Sequence, residues 1–207
     1  MISALLLIFE PIATWERIWR ARRSLLFVLL TYLIPFIAVT CVAEGWGLRH
    51  WGRAREFGSR KFYSTGEVII FESMQFLLYL FVVFLGARLI KAIGETFHGR
   101  HTFTQAFGTV AYGLGPLFLL HFLDALKDLS PWLGWAVGIV LSIGVLYQGM
   151  PRMMEPDPPH AFGLYLIGSL FLLLITGLIR FVTAWYLQGK FVGLESFIAN
   201  LASRFQH

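Results

Sequence analysis

Five long runs of apolar side chains, separated by short polar segments, constrain this chain more than any other feature of its sequence. They cover residues 24–43, 68–89, 106–126, 132–149 and 161–187. Each run is close to the about 20 residues that an α-helix needs to cross about 30 Å of hydrocarbon. Lipid cannot satisfy exposed backbone N–H and C=O groups, and the runs do not alternate in polarity as barrel strands would. The sequence therefore predicts five transmembrane helices.

Composition supports a membrane protein with no sizeable soluble domain. The chain has 207 residues, is 57% hydrophobic and is only 14% charged, whereas soluble domains carry about 25% charged residues. Its formal charge is +5, but the basic residues flank the apolar runs, as they do when they face anionic lipid headgroups. Cys41 is the only cysteine, so no disulfide framework is possible. We predict an all-α membrane protein with the bilayer as its main partner, no nucleic-acid partner and no cofactor.

The segment before the first run is amphipathic at helical spacing. On one side fall Ile12, Trp15, Ile18 and Trp19, and on the other Glu16, Arg17, Arg20 and Arg23. A helix with tryptophans on one face and arginines on the other is typical of the headgroup plane. We predict an interfacial helix within residues 1–23, with a frayed basic tail as the alternative, then a membrane domain over 24–187 and a short tail over 188–207.

Two further expectations concern the first connection and the first run. Pro35 lies inside the first run and predicts a kink, because proline cannot donate the helical hydrogen bond. The connection over residues 44–67 is basic and aromatic, and we expect it to lie on the membrane surface.

Five ionisable residues fall within the predicted spans: Arg88, which we expect to reach the surface from the end of its span, and the four candidates Glu72, His121, Asp124 and Arg180. Such groups cost about 2.5–3.5 kcal/mol at mid-helix, so each needs a partner or water. Glu72 is either a hydrated helix end or an inward-facing partner for a cation. His121 and Asp124 are one turn apart, which fits a hydrated helix end or part of a proton relay.

Arg180 is the most demanding of these residues, because it lies deep in the fifth run. It shares a helix face with Thr176 and Thr183. If that face is buried, the guanidinium needs a carboxylate, and the sequence offers Asp124, Asp128 or Glu72 on the same side of the membrane. We predict an ion pair between Arg180 and one of them.

Small residues recur every four positions in the fourth run, at Gly134, Gly138 and Ser142. This spacing lets two helices approach closely, either within one chain or between two copies.

The loop after the second run holds His98 and His101, which suggest a metal or phosphate site. Zinc needs three or four protein ligands, and only Glu95 is near. No glycine-rich run ending in Lys-Ser/Thr follows a strand, as a phosphate loop requires. We predict a surface turn, no metal site and no catalytic residue, since no nucleophile–base motif is present.

The stretch "GRHTFTQAFGTVAYGLGPL" resembles the central signature of the Yip family of integral membrane proteins (Ypt/Rab-interacting proteins). The matching positions are Gly99, Phe103, Gln105, Tyr112 and Pro116, together with Tyr147 at the end of the fourth run. The resemblance implies five spans, a cytoplasmic N-terminus and no known catalysis. Eukaryotic relatives are linked to small GTPases through a long N-terminal region. Because only residues 1–23 precede the first run here, the resemblance gives a GTPase partner little support.

These observations favour a non-catalytic protein that organises the membrane or binds a membrane-protein partner, as one component of a larger complex or by itself. The alternative is a small transporter or lipid-handling protein with a polar cavity lined by Glu72, Tyr112, His121 and Arg180. The arginine cluster before the first run and the compact bacterial form of the resemblance predict a bacterial cytoplasmic (inner) membrane location, with the N-terminus in the cytoplasm.

Overall fold

The structure, a computed structural model, describes residues 2–54, 60–97, 101–127 and 129–205. Five helical segments are long and apolar enough to cross a membrane, which confirms the predicted number and order. Spans one to five are Leu25–Trp51, Thr65–Thr96, Phe103–Ala125, Pro131–Met154 and Pro158–Leu187.

Span one is helical throughout but irregular before its proline. Helix α3 (Leu25–Val28) leads into a π-helical turn (Leu29–Leu33), where the N–H of Ile34 bonds to the carbonyl of Leu29. Helix α4 (Ile34–Trp51) continues from there. Pro35 has no N–H to donate, and its ring would clash with the carbonyl four residues earlier in a regular helix. The wider π-helical turn just before it makes room for the proline. The irregularity predicted at Pro35 thus takes the form of a π-helical turn.

Helix α4 extends to Trp51, so the expectation that residues 44–67 lie on the surface is wrong for their first part. The helix ends where Gly52 takes a φ of +62°, a conformation that favours glycine. A short antiparallel ladder follows, with β1 (Arg53–Ala54) paired to β2 (Arg60–Lys61).

Spans two and three begin with matching caps. Ser64 and Glu67 form a capping box at the start of α5 (Thr65–Thr96), and Thr102 and Gln105 form one at the start of α6 (Phe103–Gly113). These reciprocal bonds satisfy backbone N–H groups that the first helical turn leaves free.

Span three, predicted as one run, is divided into three helical pieces. After α6, the backbone breaks at Leu114, and α7 (Gly115–Leu120) and a 3₁₀ turn (His121–Ala125) follow. Within its most apolar window 78% of residues are buried, against 28–44% in the other spans. Span three is therefore the centre of the bundle.

The C-terminal half contains α8 (Pro131–Met154), a 3₁₀ turn (Pro158–His160), α9 (Ala161–Leu187) and α10 (Val192–Arg204). Helix α10 packs on the start of α5, where the carbonyl of Ala202 approaches Gly66. The segment predicted as a tail over 188–207 thus contains a helix docked on the bundle.

The N-terminal segment contains the predicted amphipathic helix, α2, and a second helix, α1, before it, and both are docked on the bundle. In α1 (Ile2–Phe9), Ala4 packs against Gly115, which lies near the middle of span three. In α2 (Pro11–Ala21), Trp15 is fully buried and its indole N–H donates to the carbonyl of Val145 at 3.0 Å. The alternative of a frayed tail is wrong for the described residues.

Candidate functional site

Five charged or polar side chains from four spans meet inside the bundle. The set comprises Glu44 of α4, Gln75 of α5, His121 and Asp124 of the 3₁₀ turn, and Arg180 of α9. None of them is more than 6% exposed. We call these five residues the buried ion cluster.

Arg180 joins three spans. Its Nη2 donates to Asp124 Oδ2, and its Nε and Nη2 also donate to the carbonyl of Pro131 at 3.0 and 2.6 Å. The carbonyl of Pro131 lies in the first turn of α8. Arg180 therefore ties span five to the end of span three and the beginning of span four.

The imidazole of His121 lies between two carboxyl groups. Its Nδ1 is 2.7 Å from Asp124 Oδ2, and its Nε2 is 2.7 Å from Glu44 Oε2. A neutral imidazole carries only one N–H, so it can donate to one of these two carboxylates at a time. Only a protonated ring would donate to both Glu44 and Asp124.

Two side chains of α5 complete this arrangement. Gln75 Nε2 donates to Glu44 Oε2 at 2.5 Å and lies 2.9 Å from His121 Nε2. The hydroxyl of Tyr79 lies 3.3 Å from both ring nitrogens of His121. The imidazole is thus surrounded by polar atoms, although it lies deep in an apolar bundle.

A second arginine reaches the cluster from outside the predicted spans. Arg53 of β1 is 8% exposed, its Nη2 lies 3.6 Å from Glu44 Oε1, and its Nη1 donates to the carbonyl of Leu129 at 3.3 Å. Sequence reasoning missed Glu44 and Arg53 because both fell in the connection placed on the surface. The one available signal was Gly52, a helix-ending residue eight positions beyond Glu44.

Three members of the cluster have donor atoms close enough to share a metal ion. Ligand atoms of Glu44, His121 and Asp124 lie within 4.8 Å of one another. However, Asp124 Oδ2 already accepts from Arg180 and contacts His121. A metal there would face a guanidinium, so the geometry favours a set of internal ion pairs. The absence of a metal site stays a prediction.

Glu72 lies outside the cluster, and its two predicted roles stay predictions. The residue is only 9% exposed, and its carboxyl group faces the thiol of Cys41 on α4, a weak hydrogen-bond donor. Its stem packs near Gly45 on α4. Of the three carboxylates proposed for Arg180, the structure pairs it with Asp124 and not with Glu72, while Asp128 lies outside the described residues.

The four residues expected to line one polar cavity lie in three places. His121 and Arg180 line a void of about 20 Å³, which has room for about one water molecule. Glu72 borders a lipid-facing groove between α4 and α5, and Tyr112 lines a separate cavity near α2. The structure does not bring them to a common cavity.

The cavity near α2 is bounded by the C-terminal end of α2 and by spans one, three and four, and has a volume of about 370 Å³. We call it the α2 pocket. Its polar lining comes from Arg22, Arg23, Thr102, Thr104, Gln105, Tyr112 and Glu155.

The remaining signature positions are dispersed. Phe103 packs on the core, Pro116 is buried in the first turn of α7, and Tyr147 is 51% exposed with its ring against Tyr165. Gly99 lies outside the described residues, as does His98 of the predicted surface turn. Only Gln105 and Tyr112 share a cavity.

The small residues of span four pack within the chain. A Cβ on Gly138 would lie 2.9 Å from Leu117 Cα, and one on Gly134 would lie 3.1 Å from the carbonyl oxygen of Leu120. Ser142 Oγ accepts from the N–H of Leu117 at 3.2 Å. Helices α7 and α8 thus approach closely, and Ser142 satisfies a backbone donor at the start of α7.

Five apolar spans closed around a charged centre define a multi-pass α-helical integral membrane protein. The Yip1 domain matches residues 5–181, which include all five spans except the last residues of span five. The chain belongs to this family, which confirms the resemblance found in its sequence. No curated protein and no solved structure matches the chain.

Proposed function

We propose that this Yip-family protein is a non-catalytic membrane organiser that expands one leaflet of the bilayer with its N-terminal helices. The observation that carries the proposal is the docking of α1 beside the middle of span three. The bilayer-organising role, the partner and the location in a bacterial cytoplasmic membrane with a cytoplasmic N-terminus all stay predictions.

Helix α1 is apolar and too short to cross the membrane. Its eight residues span about 12 Å, less than half of the hydrocarbon thickness. Ala4 and Leu7 pack inward, while Ile2 and Phe9 are 76% and 79% exposed. These exposed apolar side chains support a position in the hydrocarbon of one leaflet.

Helix α2 continues from α1 and is fixed by its buried tryptophan. The contact of Trp15 with Val145 holds the helix on α8, while the side chains of Arg17 and Arg20 remain 60% and 73% exposed. An amphipathic helix held in this way occupies interfacial area without having to insert on its own.

The opposite end of the bundle carries a smaller addition. Helix α10 packs against Gly66, the second residue of α5, and so lies at the end of span two. It does not lie beside the middle of a span, as α1 does. The extra volume at hydrocarbon depth therefore comes from the N-terminal helices, which favours expansion of one leaflet over the other.

The transporter alternative has less support. The polar residues at the centre contact one another, and the void beside His121 and Arg180 has only about 20 Å³. A transport route through this cluster would have to separate several ion pairs at once.

The test is the shape of vesicles containing purified protein at increasing density, imaged by cryo-electron microscopy. We expect the wild type to reduce vesicle diameter or form tubules, and the double variant Ile2→Asp/Phe9→Asp to lose this effect. The matched control is Phe197→Asp/Phe205→Asp, two exposed positions on α10. Elution as a monodisperse peak in detergent checks folding.

Vesicles of unchanged diameter at every wild-type density would contradict the proposal, as would equal loss of shaping in both double variants. Proton flux in the same vesicles, read with a pH-sensitive dye, tests the alternative. A flux that His121→Asn abolishes would favour the transporter.

A further inference from the structure

We propose that the α2 pocket binds the phosphate group of an anionic phospholipid. This inference deepens the proposed function and rests on it for the position of α2 at the membrane surface. The pocket joins α2 to spans one, three and four, so a lipid bound there would fix α2 on the bundle.

Charge is distributed unevenly among the four arginines of this segment. Arg17 pairs with Glu10 at 3.4 Å, and Arg20 pairs with Glu16 at 3.3 Å. Arg22 and Arg23 have no carboxylate partner among the described residues, and both line the pocket. Within this segment, the positive charge without a carboxylate partner therefore lies at the pocket.

The backbone presents these two arginines together. Arg22 has a φ of +39°, which is uncommon for a residue with a side chain, and its N–H bonds to the carbonyl of Trp19. This left-handed residue ends α2 and turns the chain directly into span one. Two successive guanidinium groups consequently face the same cavity.

Two contacts orient the side chain of Arg23 and leave some of its guanidinium N–H groups free to bind a ligand. Its Nη1 donates to the hydroxyl of Tyr112 at 3.2 Å, and its guanidinium lies 5.0 Å from the ring centroid of Phe27. A guanidinium has five N–H donors in a plane that matches phosphate oxygens. The remaining donors can bind two oxygens of one phosphate.

Gln105 contributes a neutral donor whose orientation is set by the helix cap. Its Oε1 accepts from the backbone N–H of Thr102 at 2.7 Å and from the Thr102 hydroxyl at 3.0 Å. The amide NH₂ is therefore the end left for the pocket. Thr104, which also lines the pocket, adds a hydroxyl.

The rest of the pocket lining favours a phospholipid over a free inorganic anion as the ligand. Ile18, Val28 and Met153 give the pocket an apolar side, which suits the glycerol and upper acyl carbons of a phospholipid. Glu155 is the one acidic residue in the described lining, and its Oε1 accepts from the indole N–H of Trp19 at 3.2 Å. With two arginines and one glutamate, the pocket favours a singly charged phosphodiester.

The experiment measures lipid binding to detergent-solubilised full-length protein by native mass spectrometry. The probes are phosphatidylglycerol, phosphatidylcholine and inorganic phosphate. We expect phosphatidylglycerol to bind about tenfold more tightly than phosphatidylcholine, and Arg22→Gln/Arg23→Gln to remove this preference. The matched control, Arg17→Gln/Arg20→Gln, makes the same charge change a few residues earlier in the same N-terminal segment and should keep the preference.

A second double variant tests the pocket if the first one does not fold. Arg22→Lys/Arg23→Lys retains both charges but loses the planar fork, so we expect about a threefold to tenfold loss of phosphatidylglycerol binding. Unchanged binding in this variant would overturn the proposed geometry.

Three other results would overturn the proposal: equal binding of the two lipids, equal loss in the Arg17/Arg20 control, or binding of inorganic phosphate without lipid. The last would assign the pocket to a free anion. Because binding is measured in micelles, it is independent of vesicle shape. Retained lipid preference without vesicle shaping would contradict only the proposed function, and shaping without lipid preference would contradict only this inference.

Discussion

Arg180 in span five and Asp124 at the end of span three are 56 positions apart in the chain and form an ion pair buried in the bundle. The guanidinium also donates to the carbonyl of Pro131 at the start of span four. One side chain thus connects three spans, and removing either charge would leave the other buried without its main partner.

Asp124→Asn should therefore lower the free energy of unfolding by about 3–5 kcal/mol, the usual cost of breaking a buried ion pair. Unfolding in mixed micelles with increasing SDS measures the change. Arg88→Gln is the matched control, because Arg88 is another arginine within a span but is exposed. The reversed pair Arg180→Asp/Asp124→Arg should recover only part of the loss, since Pro131 loses its donor. A stability of Asp124→Asn equal to that of the wild type would contradict the role of the pair.

Glu44 and Glu72 should differ in how their replacement by glutamine, a change that keeps the shape of the side chain, affects stability. Glu44→Gln weakens contacts with His121 and Arg53, and should cost about 1–3 kcal/mol. Glu72→Gln should leave stability unchanged or raise it, because the Cys41 thiol that faces its carboxyl group is only a weak hydrogen-bond donor and burial penalises a charge there. Thermal unfolding of the two variants in detergent tests this contrast. A larger loss for Glu72→Gln than for Glu44→Gln would contradict it.

Gly138 and Gly144 provide a second matched pair, both within α8. A Cβ on Gly138 would lie 2.9 Å from the backbone of Leu117, whereas one on Gly144 would meet no heavy atom within 4 Å. Gly138→Ala should force α7 and α8 apart and cost about 1–3 kcal/mol. Gly144→Ala should be neutral or stabilising by up to about 1 kcal/mol, since alanine favours helix. Denaturation of the two variants in micelles measures both effects, and equal stability would show that α7 and α8 can separate freely.

The anchor of α2 can be tested through the two tryptophans of that helix. Trp15→Phe removes the donor to Val145 from a fully buried site and should cost about 1–3 kcal/mol. Trp19→Phe changes a residue that is 38% exposed, and we expect a loss below about 1 kcal/mol. Thermal stability, together with the rate of tryptic cleavage at Arg17 and Arg20, measures how firmly α2 is held. Faster cleavage in Trp19→Phe than in Trp15→Phe would contradict this assignment.

Much of the fold could be predicted from the sequence because hydrophobicity along a helix is a local property. Runs of about 20 apolar residues predict spans whatever they pack against. The alternation of Trp15 and Arg17 around one helix likewise predicted a helix in α2. The pattern did not predict that the Trp15 side chain would pack inside the protein against α8 and not lie in the headgroup region of the lipid.

The candidate site was only partly predictable. His121, Asp124 and Arg180 stood out because charged residues are rare within apolar runs. Glu44 and Arg53 did not, because they follow the first run, where a polar residue usually indicates the end of a span. Their burial depends on how far α4 continues and on which spans surround it.

The sequence by itself determined that this chain crosses a membrane five times and has an amphipathic helix before the first span, since both follow from the order of polar and apolar side chains along single helices. Only the tertiary structure decided that Asp124 is the partner of Arg180, that Glu44 joins them, and that Arg22 and Arg23 share a pocket with Gln105. The physical reason is that ion pairs and cavities join residues distant in the chain, so helix packing sets their distances.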